Sequence, residues 1–151
     1  MKRHALFWIS SLIFLAVLLS GCDALKSLED EPIHVTLTIE VLVLDEFNTP
    51  RSDTNVYIET MKSTVDKDGF GHDQLDTKFT TSKFTDVNGK TSFTVDYTLH
   101  NNPQERIDVK AHTIYADPGF DIITYNDAKN VAGENNIAVL SSTITLYHLI
   151  E

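Results

Sequence analysis

The chain has 151 residues, with 22 acidic side chains against 12 basic ones, a formal charge of −10 at pH 7 and a single cysteine. Such a balance argues against nucleic acid and against electrostatic adsorption to anionic lipid, because both need clustered lysine and arginine. One thiol also excludes an intrachain disulfide and a zinc–thiolate cluster.

The chain opens with Lys2 and Arg3, followed by a nearly unbroken apolar run from Ala5 to Leu19. The run is short for a transmembrane helix and carries the basic flank of a signal peptide. It closes on Leu19-Ser20-Gly21-Cys22, small residues leading into the only cysteine. These four residues resemble the lipobox of bacterial lipoproteins. The resemblance implies a helical signal peptide over 1–21, cleavage between Gly21 and Cys22, and palmitate-type lipid on Cys22. It implies a location in the bacterial cell envelope, anchored by lipid to a membrane; stable anchoring takes two or more acyl chains. No cofactor besides that lipid is expected, Ca²⁺ being the one alternative weighed below. Removing 1–21, which holds two basic residues and no acid, leaves 130 residues (151 − 21) with a charge of −12 (10 − 22). That length suits one domain with one core.

Residues 22–32 are polar and acidic (Lys26, Glu29, Asp30, Glu31) and read as a tether, so the domain is expected over 33–151. There the dominant signal is alternation, the strand period. Ile33, Val35, Leu37, Ile39, Val41 and Val43 are apolar, with His34, Thr36, Thr38 and Glu40 between them. Asp45 to Asn55 is turn chemistry, and Val56 and Ile58 begin a second strand. Asp66 to Asp76 is a Gly- and Asp-rich loop, and Thr77 to Thr85 is β-prone. Asn88-Gly89 is a strong hairpin signal. It precedes the alternation Thr91, Phe93, Val95, Tyr97, Leu99. After Asn101-Asn102-Pro103 come Ile107, Val109 and Ala111, then the turn Asp117-Pro118-Gly119 and a short strand near 120–125. Asn126 to Asn136 reads as a polar loop, and 137–150 as a last strand. No segment after the leader has convincing helical periodicity. The pattern predicts an all-β fold, an antiparallel β-sandwich of six to seven strands.

Val43-Leu44-Asp45-Glu46-Phe47-Asn48-Thr49-Pro50, then Asn55-Val56-Tyr57-Ile58, resembles the opening of two bacterial module types. One is the carboxypeptidase-regulatory-like or transthyretin-like sandwich; the other is the Ig-like repeat of invasin and intimin. Both later carry Thr-Asp-x-x-Gly before a hydrophobic residue, matched by Thr85-Asp86-Val87-Asn88-Gly89 and Phe93. Ile107-Asp108-Val109-Lys110-Ala111 is similar to their penultimate strand, so the resemblance spans roughly 35–113. It departs from the pattern before Pro50, where Asn48 and Thr49 replace the usual glycine. The resemblance implies an Ig-like or transthyretin-like sandwich.

Candidate chemistry is sparse. Asp66-Lys67-Asp68-Gly69, with Asp73 nearby, could supply oxygens to Ca²⁺, yet the EF-hand template puts Thr64 and Leu75 where Asp and Glu belong. His34, His72, His100, His112 and His148 are scattered, without zinc-site spacing. There is no Gly-x-Ser-x-Gly elbow and no phosphate-binding glycine loop, so no catalytic residue is assigned. Phe70, Phe79, Phe120 and Tyr125 could form an exposed aromatic platform for sugars or a partner protein; Phe79, Phe120 and Tyr125 are instead expected in the core, and Phe70, between Gly69 and Gly71, on the surface as a partner contact. The expected function is a non-enzymatic binding or structural module for a protein or glycan partner. The alternative is a Ca²⁺- or small-ligand-binding accessory domain that uses the 64–76 loop.

Overall fold

Among the described residues, the alternation in the sequence becomes seven strands, with one short helix before the last. The computed structural model describes residues 31–65 and 72–148, the side chains of 65 and 72–78 excepted. Its elements are β1 (Ile33–Asp45), β2 (Asn55–Val65), β3 (His72–Phe84), β4 (Lys90–Leu99), β5 (Glu105–Thr113), β6 (Ala116–Thr124), α1 (Tyr125–Ala132) and β7 (Ile137–His148). Pairing runs in the order β3-β2-β5-β6-β7-β1-β4. β6 and β7 meet through a single residue pair, Ala116 with His148. At that hinge the sheet folds over, giving a layer β3-β2-β5-β6 that faces a layer β7-β1-β4. Contacts cross between them: the Thr60 and Tyr97 hydroxyls lie 2.6 Å apart, and Gly119 is packed under Ile144 and Leu146. The fold is a β-sandwich.

β1 dictates much of this. Its odd-numbered residues from Ile33 to Val43 are all buried, because a period of two sends them to one face. They form one core with Ile58, Phe93, Leu99, Ile107 and Leu146. Each such side chain contributes about 1.5–3 kcal/mol through burial. The β3/β4 side is closed by Lys83, whose ammonium donates to Ser92 O at 2.7 Å and lies 5.1 Å above the Phe93 ring. A lysine on an outer carbonyl also blunts an edge strand.

The structure corrects six expectations. Asn88-Gly89 joins β3 to β4 without making a hairpin of them, since they pair with β2 and β1, and Asp117-Pro118-Gly119 lies within β6 rather than in a turn. The sheet is mixed, because β1 pairs antiparallel with β4 but parallel with β7; alternation fixes a strand's faces and is silent on its direction. β3 begins at His72, inside the stretch read as a loop, and pairs there with β2. Tyr125–Ala132 is helical, followed by a 3₁₀ turn at Gly133–Asn135. Thr124 caps α1: its hydroxyl accepts from Asp127 N–H, and the Asp127 side chain accepts from Thr124 N–H in return. The helix buries only Tyr125, Ala128 and Ala132, and two alanines give a weak apolar stripe. Finally, Tyr125 is in the core, whereas Phe79 and Phe120 are exposed: Phe120 on the outer face opposite Lys110, and Phe79 opposite Thr60 on the inward side of the edge strand β3.

The Thr-Asp-x-x-Gly motif proves to be a clasp. Thr85 is buried; its hydroxyl donates to Arg51 O at 2.7 Å and accepts from Thr54 N–H at 3.0 Å. Asp86 Oδ1 accepts from Asn88 N–H and Lys90 N–H, closing the turn. Gly89 adopts φ +72°, and a Cβ there would lie 2.7 Å from Val43 O and 2.9 Å from Arg51 N. The β3–β4 turn is thereby locked onto the β1–β2 connection, with Val43 N–H donating to Gly89 O.

Candidate ligand cleft

Register places three connections and one strand end together at one end of the sandwich: residues 46–54, the turn 85–89, residues 114–115, and the end of β7 at His148. The first residue of β1, Ile33, pairs with Leu99 at the opposite end. The clasp end holds a cleft of about 610 Å³, lined by the 50–55 stretch, Tyr57, Phe84, residues 113–115 and His148. That volume lies within the ordinary range of small-ligand sites.

Two aromatic side chains in its wall are braced by histidines. Tyr57 of β2 is opposite His112 of β5, and their rings stack at 5.4 Å with planes 18° apart. Tyr115 lies against His148 at 4.9 Å, tilted by 54°. The polar wall carries Arg51, Ser52, Asp53, Thr54 and Asn55. Asp53 has φ +52°, a left-handed conformation that aspartate tolerates better than most residues. Among the described residues, Asn55 Oδ1, His112 Nδ1 and His148 Nδ1 are buried without a hydrogen-bond partner. Such atoms are costly in a folded protein and rare. Beside the cleft, Asp45 Oδ1 accepts from Thr49 N–H at 2.8 Å and Phe47 N–H at 2.9 Å. These bonds, the one from Thr49 foremost, hold its pKa below the ordinary 3.8, with Arg51 adding to the effect.

The rim is apolar. Phe47, Phe84, Val87, Ile114, Tyr115 and Tyr147 are exposed around this end, Ile114 at 73% and Val87 at 86%. At the opposite end the polar groups are internally spent. Lys62 is buried, 3.8 Å from Glu105 Oε1, and donates to Thr98 O at 3.3 Å. Glu105 Oε2 accepts from His100 N–H at 2.7 Å.

Of the site residues expected from sequence, Gly21, Cys22, Asp66, Asp68 and Phe70 lie outside the described residues. Asp73 lies in β3, paired with Thr64, and its side chain is outside the description. Among the described residues no group of three or more His, Cys, Asp or Glu side chains is arranged to hold a metal ion. The cleft was not foreseen. Its residues come from five separate stretches of chain, and the traceable signal was only that Tyr57, His112 and His148 sit at strand positions.

No protein-family model matches the chain, and no curated protein matches it. Among solved structures it is similar to chlorocatechol 1,2-dioxygenase from Pseudomonas putida at 12% identity and TM-score 0.41, over 79% of this chain and 63% of that one. The chain thus spans less than two thirds of that enzyme's length. It is also similar to the C-terminal domain of a shaft pilin from Lactobacillus rhamnosus GG, at 11% identity and TM-score 0.33, over 75% of this chain and 98% of that domain. A third is the dioxygenase domain of a dioxygenase–carbohydrate-binding protein fusion from Streptomyces sp. SirexAA-E, at 18% identity and TM-score 0.30, over 78% and 80%. These likenesses are too distant to bear on what the chain does.

Proposed function

We propose that the protein is a bacterial envelope lipoprotein, held to a membrane by lipid on Cys22. Its Ig-like or transthyretin-like sandwich acts as a non-enzymatic module that binds a protein or glycan partner. The observation that carries this reading is the placement of cleft and apolar rim together at one end, opposite Ile33. A chain anchored at Cys22 enters the domain at Ile33, so the 13 residues of β1 set the binding end back by roughly 40 Å along the strand. Exposed apolar groups clustered in one place mark an interaction surface more often than a free one. The polar tether and the acidic surface keep the domain itself off anionic lipid, leaving the acyl chains as the membrane contact.

The experiment is metabolic labelling of the cells with an alkyne fatty acid, combined with a photocrosslinker placed at Ile114 or at Val131. Val131 is exposed on α1, at the opposite end. The expected result is label on the wild-type protein, none on Cys22→Ala, and crosslinking from Ile114 alone to a reproducible envelope component. Unlabelled protein, or crosslinking from Val131 but never from Ile114, overturns the proposal.

A further inference from the structure

We infer that the cleft at the clasp end is a binding site for a neutral carbohydrate; this rests on the reading of that end as the binding end. Two properties of the wall select the ligand class.

The first is the charge. Arg51 and Asp53 give the wall one cation and one carboxylate. An anionic ligand meets the net negative charge of the protein, and a cationic one meets Arg51, so a ligand without net charge is favoured on both counts.

The second is the pairing of aromatic and polar walls. Tyr57 and Tyr115 are held by His112 and His148 at 5.4 and 4.9 Å, so little side-chain freedom is lost when a ligand settles on them. The electron-rich face of an aromatic ring suits the C–H face of a sugar ring. Around them stand hydroxyls at Ser52 and Thr54, a guanidinium at Arg51 and a carboxylate at Asp53. A sugar hydroxyl both donates and accepts, and can therefore use either kind of group.

The test is saturation-transfer NMR on the full-length protein in a detergent without a sugar headgroup. The probes are glucose, galactose, N-acetylglucosamine and their β-linked disaccharides, with Nα-acetyl-lysine amide as the cationic probe. Tyr115→Leu and Asp53→Asn alter the wall at exposed positions, and asparagine keeps the left-handed backbone. Val139→Ala, on an exposed site of β7, is the control. Ring protons of at least one sugar are expected to receive saturation, with affinity reduced about tenfold in both cleft variants and unchanged in the control. Absence of transfer to every sugar at about 10 mM refutes the inference. So does a signal that survives both cleft variants, or transfer to the lysine probe alone. Crosslinking from Ile114 separates the two readings: if it persists while sugars fail, the binding end stands and only the ligand class falls.

Discussion

Replacing Thr85 with valine tests the clasp directly. The two side chains have nearly the same shape, so packing is preserved while the hydroxyl is lost. That hydroxyl makes two bonds, to Arg51 O at 2.7 Å and from Thr54 N–H at 3.0 Å. Each bond is worth about 1 kcal/mol net, and a buried backbone group left unpaired costs about 1–3 kcal/mol. Thr85 is 4% exposed, while Arg51 and Thr54 are half-buried, so water recovers part of the loss. The expected destabilisation is about 2–3 kcal/mol, or about 10 °C in Tm for a domain of this size. Equilibrium urea denaturation should show a lower midpoint at unchanged slope, since the surface exposed on unfolding is the same. Thr85→Ser keeps both bonds and loses one methyl group, for about 0.8 kcal/mol. A valine variant no less stable than the serine variant refutes the view that hydrogen bonds, rather than packing, make the motif necessary.

Three further expectations follow from other parts of the molecule. The Asp45 and Asp86 carboxyls have pKa values below the ordinary 3.8, held there chiefly by the N–H groups of Thr49 and Lys90. Their stabilisation is present above 3.8 and is lost as pH falls through the folded-state values. Denaturation midpoints should therefore drop in that acid range, and less steeply in Asp86→Asn. Lys62→Met strands the buried Glu105 carboxylate and should cost about 3 kcal/mol, part of which Lys62→Met/Glu105→Gln regains; additive losses in a double-mutant cycle contradict the pairing. Millimolar Ca²⁺ should leave the Tm of the wild-type protein unchanged. A rise that Asp66→Asn/Asp68→Asn/Asp73→Asn abolishes would instead place the function in the 64–76 loop.

What the sequence disclosed follows from what one-dimensional periodicity can carry. β1 was legible because six alternating aliphatic residues, Ile33 to Val43, all reach the core. The Asn88-Gly89 turn was legible as a turn because φ +72° at Gly89 is a local requirement of the backbone, but not as a hairpin, because the strands it joins pair with β2 and β1 and not with each other. α1 was obscured because its buried face is mostly alanine, although the Thr124–Asp127 capping box was present in the sequence. Phe120 misled because aromatic character is equally at home on either face of a half-buried strand, and Phe79 because an inward side chain on an edge strand stays partly exposed. The cleft was illegible for a different reason. Tyr57 and His112 come together only through β2–β5 register, and Tyr115 and His148 only through the β6–β7 hinge. The Thr85–Gly89 motif was visible in the sequence as a turn; that Thr85 and Gly89 lock it onto the β1–β2 connection was not.

The parallel pairing of β1 with β7 sets the order in which the molecule can assemble. The first strand of the core has its second neighbour at the far end of the chain, roughly a hundred residues later, a separation of the kind that slows folding. Until residues 137–148 are available, β1 is hydrogen-bonded on one side only and its other side is an open edge. Hairpins such as β5–β6 can form early, but closure of the sandwich waits for the last strand. A chain interrupted before Ile137 is therefore one that cannot finish folding and that offers its central strand to any neighbour.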